Sequence, residues 1–306
     1  MTKILSIDVG GTKISYCLIN KQGKILSEIY KSSTPKTIEK MILTFKSIIN
    51  DFEKKVDIIA FATAGAVNLQ NTKVESSTPN LPKGYNEIDF STLSNKPVYV
   101  DNDANAAAWA EYKLGAAKGH KNTIIATLGT GIGGGIIVNG SILRGKSGRA
   151  AEVGSIKLFP DKRRKCNCGN YDCWEIYASG SGLKFTANES AKTFKVFQNS
   201  LLKDKEPEQI TTHDIIKGVK QDDAFCIKVF NLWQEHLLSG LISLTNIFDP
   251  ESIVISGGMG EFIQFEKLES QINSSIVVSE IKLLCAQTKN NAGMIGAALL
   301  ACEKYS

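Results

Sequence analysis

Short apolar runs alternate with polar, glycine-rich connections along most of the chain, and the spacing within each run separates strand from helix. Residues 3–31 hold three runs rich in β-branched residues, KILSID, KISYCLIN and KILSEIY, which predict three strands. Asp8-Val9-Gly10-Gly11-Thr12 joins the first two, and Lys21-Gln22-Gly23 joins the second to the third. Between 37 and 51 the spacing changes, and Ile38, Met41, Ile42, Phe45 and Ile48 fall on one face of a helix. A buried strand follows at 57–62 and ends in Thr63-Ala64-Gly65-Ala66. The Pro and Gly content of 76–85, SSTPNLPKGY, predicts a loop.

The chain is organised around 97–115, PVYVDNDANAAAWAEYKLG. Val98, Tyr99 and Val100 are strand formers, and an alanine-rich helix beginning at Ala104 is stopped by Gly115. Asp101, Asn102 and Asp103 therefore sit beyond the carboxyl end of a strand and beside a helix N-terminus, where open α/β sheets collect ligands. Two duties fit Asp103 or Asp101: capping the helix, or chemistry on a ligand. A calcium loop does not fit, because Ala106 stands where the invariant glycine belongs and Tyr112 where the bidentate glutamate belongs.

Residues 122–142, NTIIATLGTGIGGGIIVNGSI, repeat the opening plan of strand, glycine turn and strand, so a duplicated architecture is expected. Gly129, Gly131 and Gly134 match G-x-G-x-x-G, but a strand ending in Asn139-Gly140 follows, whereas a dinucleotide fingerprint opens a helix. The first glycine turn likewise lacks the Walker A spacing, and its reading is open between an ordinary hairpin and an anion cradle made of backbone N–H groups. Beyond 179 the chain predicts short helices to 220 and a long helix at 222–247 with Trp233 in its core face. A buried strand at 252–256 runs into Gly257-Gly258-Met259-Gly260, a turn that could flank a nucleotide base. A final helix at 292–304 is kept thin by Gly293 and Gly296 so that it can pack against the strands of the first lobe.

Composition narrows the function classes. The 306 residues, 42% apolar and 22% charged, suffice for two core-bearing lobes and do not suggest disorder. The net charge of +5 is spread along the chain, which implies no nucleic-acid partner; the run KRRK at 162–165 reads as a solvated loop. No signal peptide or membrane-length apolar run is present, so a cytoplasmic protein is expected. Cys17, Cys226, Cys285 and Cys302 fall singly in apolar segments as small hydrophobes. Cys166, Cys168 and Cys173 cluster, at a spacing suited to zinc but one ligand short of a closed site; three reduced loop thiols are the other reading.

Taken in order, DVGGTK at 8–13, DNDANAAAWAE at 101–111, GTGIGGGI at 129–136, AAEVG at 150–154, CNCGNYDCWE at 166–175 and SGG at 256–258 resemble the ROK family of bacterial sugar kinases and sugar-responsive repressors across essentially the whole chain. The resemblance implies an α/β, two-lobed actin-like ATPase (ribonuclease H-like) fold with a five-stranded mixed sheet in each lobe, closing on ATP and a hexose. Lobe one would comprise 1–115 with 290–306, and lobe two 116–289. Asp103 resembles the general base, and Asn102, Glu152 and Glu175, with Gly65 and Asn80, the sugar contacts. Asp8, Gly10, Gly11, Thr12 and Lys13 would frame the phosphates opposite Thr130 and Gly131, with magnesium carried by ATP and steadied near Asp8; Gly257 and Gly258 would border the adenosine.

The chain departs from the family pattern twice. Where members with the cysteine motif read E-x-G-H, this chain has Glu152-Val153-Gly154-Ser155, so the usual fourth zinc ligand and a sugar contact are replaced by Ser155. Asp172 stands where glycine is usual, a change expected to alter the shape of the cysteine loop. None of His120, His213 and His236 lies in a motif that would place it beside the cysteines. The resemblance implies an ATP-dependent hexose 6-kinase acting on glucose, with N-acetylmannosamine or N-acetylglucosamine kinase as the runner-up. A non-catalytic sugar sensor is the reading from another class. The repressor branch carries a DNA-binding segment ahead of the phosphate turn; here the turn begins at residue 8, and both that turn and Asp103 are kept. A homo-oligomer, most simply a dimer, is expected by the same resemblance.

Overall fold

The computed structural model describes residues 2–78 and 80–305; positions 1, 79 and 306, which fall at the edges or within the segments read above, lie outside the described residues. The chain opens with β1 (Lys3–Val9), β2 (Lys13–Asn20) and β3 (Tyr30–Ser33), followed by α1 (Ile38–Phe52), which Thr37 caps through Lys40 N–H. Next come β4 (Ile58–Thr63), the short hairpin β5 (Ala66–Val67) and β6 (Val74–Ser76), β7 (Val98–Asn102) and α2 (Asp103–Leu114). The first sheet has the order β3-β2-β1-β4-β7. β1 pairs antiparallel with β2 and parallel with β4, and β4 pairs parallel with β7, so the sheet is mixed. Every residue of β4 is buried, as a central parallel strand covered on both faces requires.

The second half holds β8 (Thr123–Leu128), β9 (Ile132–Val138) and β10 (Ser141–Ile142), then α3 (Glu175–Ala178), α4 (Gly180–Thr193), α5 (Thr212–Val219) and the long α6 (Ala224–Phe248). It ends with β11 (Ser252–Ser256), α7 (Phe265–Asn273), β12 (Lys282–Cys285) and α8 (Ala292–Tyr305). The second sheet, β10-β9-β8-β11-β12, has the strand order of the first, and its outer pairs are antiparallel for β10–β9 and parallel for β11–β12. The duplication predicted from the two glycine turns is therefore built into the topology. The chain forms two compact units: Met1–Ile125, Gly135–Ala151 and Ala286–Ser306 in one, Ala126–Gly134 and Glu152–Cys285 in the other.

In the first unit α1 covers one face of the sheet, where Phe45, Phe61 and Phe90 meet edge-on or tilted with ring centroids 4.9–5.9 Å apart. α8 and α2 lie together, with Ala107, Ala110 and Ala292 in one cluster that Ile295 packs against. A Cβ at Gly296 would fall 1.6 Å from Ala106 O, and one at Gly293 would touch Ala62 and Asp8. Gly293 thus thins the helix against the strands, as expected, whereas Gly296 thins it against α2. In the second unit Trp233 is fully buried in the core, as its place on the α6 pattern predicted. Gly240 of α6 gives up its side chain to Trp174, whose indole a Cβ would strike at 2.1 Å.

Three expectations are corrected. The third strand is not 24–30: Leu18 N–H is taken by the Ser27 hydroxyl at 3.0 Å, which breaks the ladder after the single Ile19–Ile25 bridge, and pairing resumes only at Tyr30. The KRRK run is not all solvated, because Arg164 is buried, with its guanidinium on Glu189 at 2.7 Å and over the Tyr177 ring. Cys285, read as a buried hydrophobe, is exposed near the end of its strand, while Cys17, Cys226 and Cys302 are buried.

Candidate active site

The β7–α2 junction settles who caps the helix. Asn102 is the cap: its Oδ1 accepts from Ala104 N at 2.9 Å and Asn105 N at 3.1 Å, and its Nδ2 donates to Gly65 O at 3.0 Å. Asp101 is fully buried and bound by Arg144 and Tyr99. Asp103, the first helical residue, is exposed as a whole, and its carboxyl accepts from Ala104 N at 2.9 Å. Crowding by protein raises its pKa above the usual carboxylate value, against the lowering pull of the Ala104 and Asp103 N–H groups. A carboxylate with a raised pKa at a helix start is suited to accept a proton.

Asp8, at the end of β1, is raised to about 6, first by burial and then by the charge of Asp103, with Lys13 opposing. Two carboxylates that feel each other in this way favour a cation beside them. The adjoining turn is a tight hairpin, with Gly10 N–H on Lys13 O at 3.0 Å. Thr34 ties it down, donating its hydroxyl to Gly10 O at 2.6 Å and its N–H to Thr12 O at 3.1 Å. Neither Gly10 nor Gly11 has a positive φ, so left-handed backbone is not why glycine stands there. Close approach is: a Cβ on Gly11 would lie 2.7 Å from Asn80 Cβ. The structure thus brings Asn80 to the glycine turn, and Gly65 to Asn102, all within the first unit.

In the second unit the Gly129–Gly131 turn faces the start of α4. Gly180 N–H donates to Gly129 O at 2.8 Å and Ser181 N–H to Thr130 O at 3.3 Å, while Ser179 caps α4 through Gly182 N–H. Around them opens a cavity of about 320 Å³ lined by Thr130, Ser181, Lys184, Thr212, Gly258 and Met259, among others. Gly257 makes its wall possible: φ is +88°, and a Cβ would sit 2.3 Å from Leu128 O. The cavity unites Thr130 and Gly258, expected from sequence, with Ser181, Lys184 and Thr212, which sequence reading missed. Their one signal was the Ser-Gly-Ser-Gly run that opens α4.

Glu152 and Ser155 flank a single 3₁₀ turn, Val153–Ser155, and are both exposed; Ser155 N–H donates to Glu152 O at 3.0 Å. Glu175 Oε2 accepts from Ile132 N at 3.2 Å beside Gly131, and its Oε1 accepts from Cys166 Sγ at 3.1 Å. Glu175 therefore links the second glycine turn to the cysteine loop. The sulfurs of Cys166, Cys168 and Cys173 lie within 4.8 Å of one another, with Cys168 and Cys173 at 3.5 Å. Sulfurs at corners of a zinc tetrahedron stand about 3.8 Å apart, given Zn–S of about 2.3 Å, so the three fit part of such a site. No histidine joins this group among the described residues. His236 instead packs against Phe159 and Tyr177.

The Asp172 departure has a structural role. Its φ is +57°, the conformation a glycine would have supplied, and its buried carboxylate accepts from Arg163 N, Arg164 N and the Tyr177 hydroxyl, the last at 2.6 Å. The aspartate thus replaces a bare glycine with a hub that gathers the loop.

The family model described as the ROK family matches residues 4–304, and the chain belongs to that family. Among its relatives is the glucokinase of Streptomyces coelicolor, 34% identical over 98% of this chain and 97% of its own length. A solved ROK family glucokinase from Streptomyces griseus, in complex with glucose and AMPPNP, is 32% identical, covers 98% of this chain and 99% of its own, and superposes with a TM-score of 0.78. The xylose repressor of Bacillus spizizenii is 27% identical over 98% of this chain and 77% of its own length. The fold is the actin-like ATPase fold of ROK sugar kinases, and the glucokinase relatives support a sugar kinase. No helix among the described residues is long and apolar enough to cross a membrane.

Proposed function

We propose that the protein is an ATP-dependent hexose 6-kinase whose sugar is glucose. The observation that carries this reading is the division of labour at the β7–α2 junction: Asn102 caps the helix, which leaves the Asp103 carboxylate for chemistry. In the proposed reaction Asp103 accepts the proton of the sugar's primary hydroxyl. The hydroxyl oxygen bonds to the γ-phosphorus, the bond from that phosphorus to the β–γ bridging oxygen breaks, and ADP leaves. The raised pKa of Asp103 makes it a stronger base than an ordinary carboxylate.

Asn102, Glu152, Ser155 and Glu175, with Gly65 and Asn80, are proposed to hold the sugar. Asp8, Gly10, Gly11, Thr12 and Lys13 are proposed for the phosphates, with Thr130 and Gly131, and Gly257 and Gly258 for the adenosine. The cavity beside Thr130 and Gly258 supports the nucleotide part of this assignment. Magnesium bound to ATP would neutralise phosphate charge, and Asp8 is the residue proposed to steady it. Cys166, Cys168 and Cys173 are proposed to hold zinc; Ser155, which stands where the family pattern has histidine, is a poor zinc ligand.

The second reading, a sugar sensor without catalysis, draws on the xylose repressor relative. Release of ADP from MgATP, measured with glucose, mannose, fructose, N-acetylglucosamine and N-acetylmannosamine, tests both. Turnover highest on glucose is expected. Turnover highest on an N-acetylhexosamine would replace the substrate assignment, and binding of a sugar with no turnover on any would favour the sensor.

A further inference from the structure

Arg144 lies just after β10. Its guanidinium spans both oxygens of Asp101, Nη1 to Oδ1 at 3.2 Å and Nη2 to Oδ2 at 2.7 Å. Nη2 also donates to the Tyr99 hydroxyl at 3.0 Å, and that hydroxyl donates to Asp101 Oδ2 at 2.6 Å. Asp101 Oδ1 accepts in addition the backbone N–H of Asn102 at 2.9 Å. One fully buried carboxylate therefore ties an arginine 43 residues away to the peptide that enters the Asn102–Asp103 helix start.

The arginine is itself anchored. Ala150 N–H returns to Arg144 O at 3.2 Å, Arg149 pairs with Glu75 at 3.1 Å, and Gly148 (φ +76°) lets the loop backbone close on Val67 O. Asn102 clamps the same junction from the other side through Gly65 O. A buried ion pair is a poor device for stability alone, since apolar residues of similar volume serve as well. A forked, bidentate pair is a good device for fixing direction.

We infer that Arg144 is a positioning residue for phosphoryl transfer: acting through Asp101, it holds the Asp103 carboxylate on the acceptor hydroxyl without touching substrate. The inference rests on the assignment of Asp103 as the base. Arg144→Lys keeps the charge and loses the fork, and a displacement near 1 Å in the base costs roughly 10²-fold in rate. The test is a double-mutant cycle with Asp103→Asn, following kcat and the KM for MgATP, with thermal unfolding to show that each variant is folded. In the wild-type background Arg144→Lys is expected to lower kcat by roughly ten- to a hundredfold with KM changed less than about twofold. In the Asp103→Asn background, where there is no base left to misplace, it is expected to change the residual rate less than about twofold.

Equal losses in both backgrounds, or an unchanged kcat in folded Arg144→Lys, would overturn the inference. Should Arg144→Lys not fold, Asp101→Asn, which keeps the side-chain size and removes the charge, is taken through the same cycle with the same expectations. A wild-type rate in Asp103→Asn alone is a different result, since it removes the base assignment itself.

Discussion

The two glycine turns stand at matching places in two sheets of the same strand order, yet they are furnished by different means. Beside the first stand charged side chains: Asp103 raises the pKa of Asp8 and Lys13 opposes it. Beside the second, the main chain makes the walls. Gly129, Thr130, Gly180 and Gly257 pack backbone on backbone, and among the described residues that line the cavity Lys184 brings the one charged side chain. One architecture can thus place reactivity in side-chain identity on one half and in backbone shape on the other. The first half should fail by losing rate, and the second by losing structure.

The largest effect expected is from Asp103→Asn, which removes the proposed base while keeping size and the hydrogen bond to Ala104. We expect kcat to fall by roughly 10²–10⁴-fold with sugar binding, measured by calorimetry, little changed. Next is Gly257→Ala. A methyl 2.3 Å from Leu128 O at a φ of +88° is expected to cost roughly 2–4 kcal/mol, read as a lower urea midpoint. If that variant instead keeps its stability and loses only rate, the contrast between the halves is wrong.

The smallest effect sharpens the first half. Asp8 is raised from 3.8 to about 6, so between about pH 4 and 6 the folded state binds more protons than the unfolded. Its contribution is present at low pH and is lost as pH rises through about 6. Asp8→Asn should remove that slope, making the protein more stable than wild type at pH 7 by on the order of 1 kcal/mol and no more stable at pH 3.5. Denaturant unfolding at the two pH values checks it; an equal gain at both would show that Asp8 is not the titrating group.

What was legible in the sequence was local. The strand–turn–helix at 97–115, the apolar face of α1, and β11 before its glycines all follow from spacing and neighbouring residues, and each is where the pattern put it. What was hidden depends on partners far along the chain. Nothing near Arg144 announces Asp101, and nothing near Gly11 announces Asn80. The third strand was misplaced because a serine hydroxyl can take a ladder N–H without disturbing the apolar pattern that predicts a strand. The roles expected of Asp8 and Asp103 came from the family resemblance, and the cap that separates Asp103 from Asp101 and Asn102 needed atomic positions.

The packing of α8 on α2 also bears on how the protein is made. Ala106 O leaves room only for a glycine on α8, so the side of α2 that carries Ala107 and Ala110 lacks that cover until the last helix arrives. On a ribosome adding ~5–20 residues per second, α8 emerges on the order of ten to forty seconds after α2. Through that interval the first unit is an open sheet and helix awaiting its cover, and a nascent chain stalled before α8 would offer an apolar alanine face to chaperones.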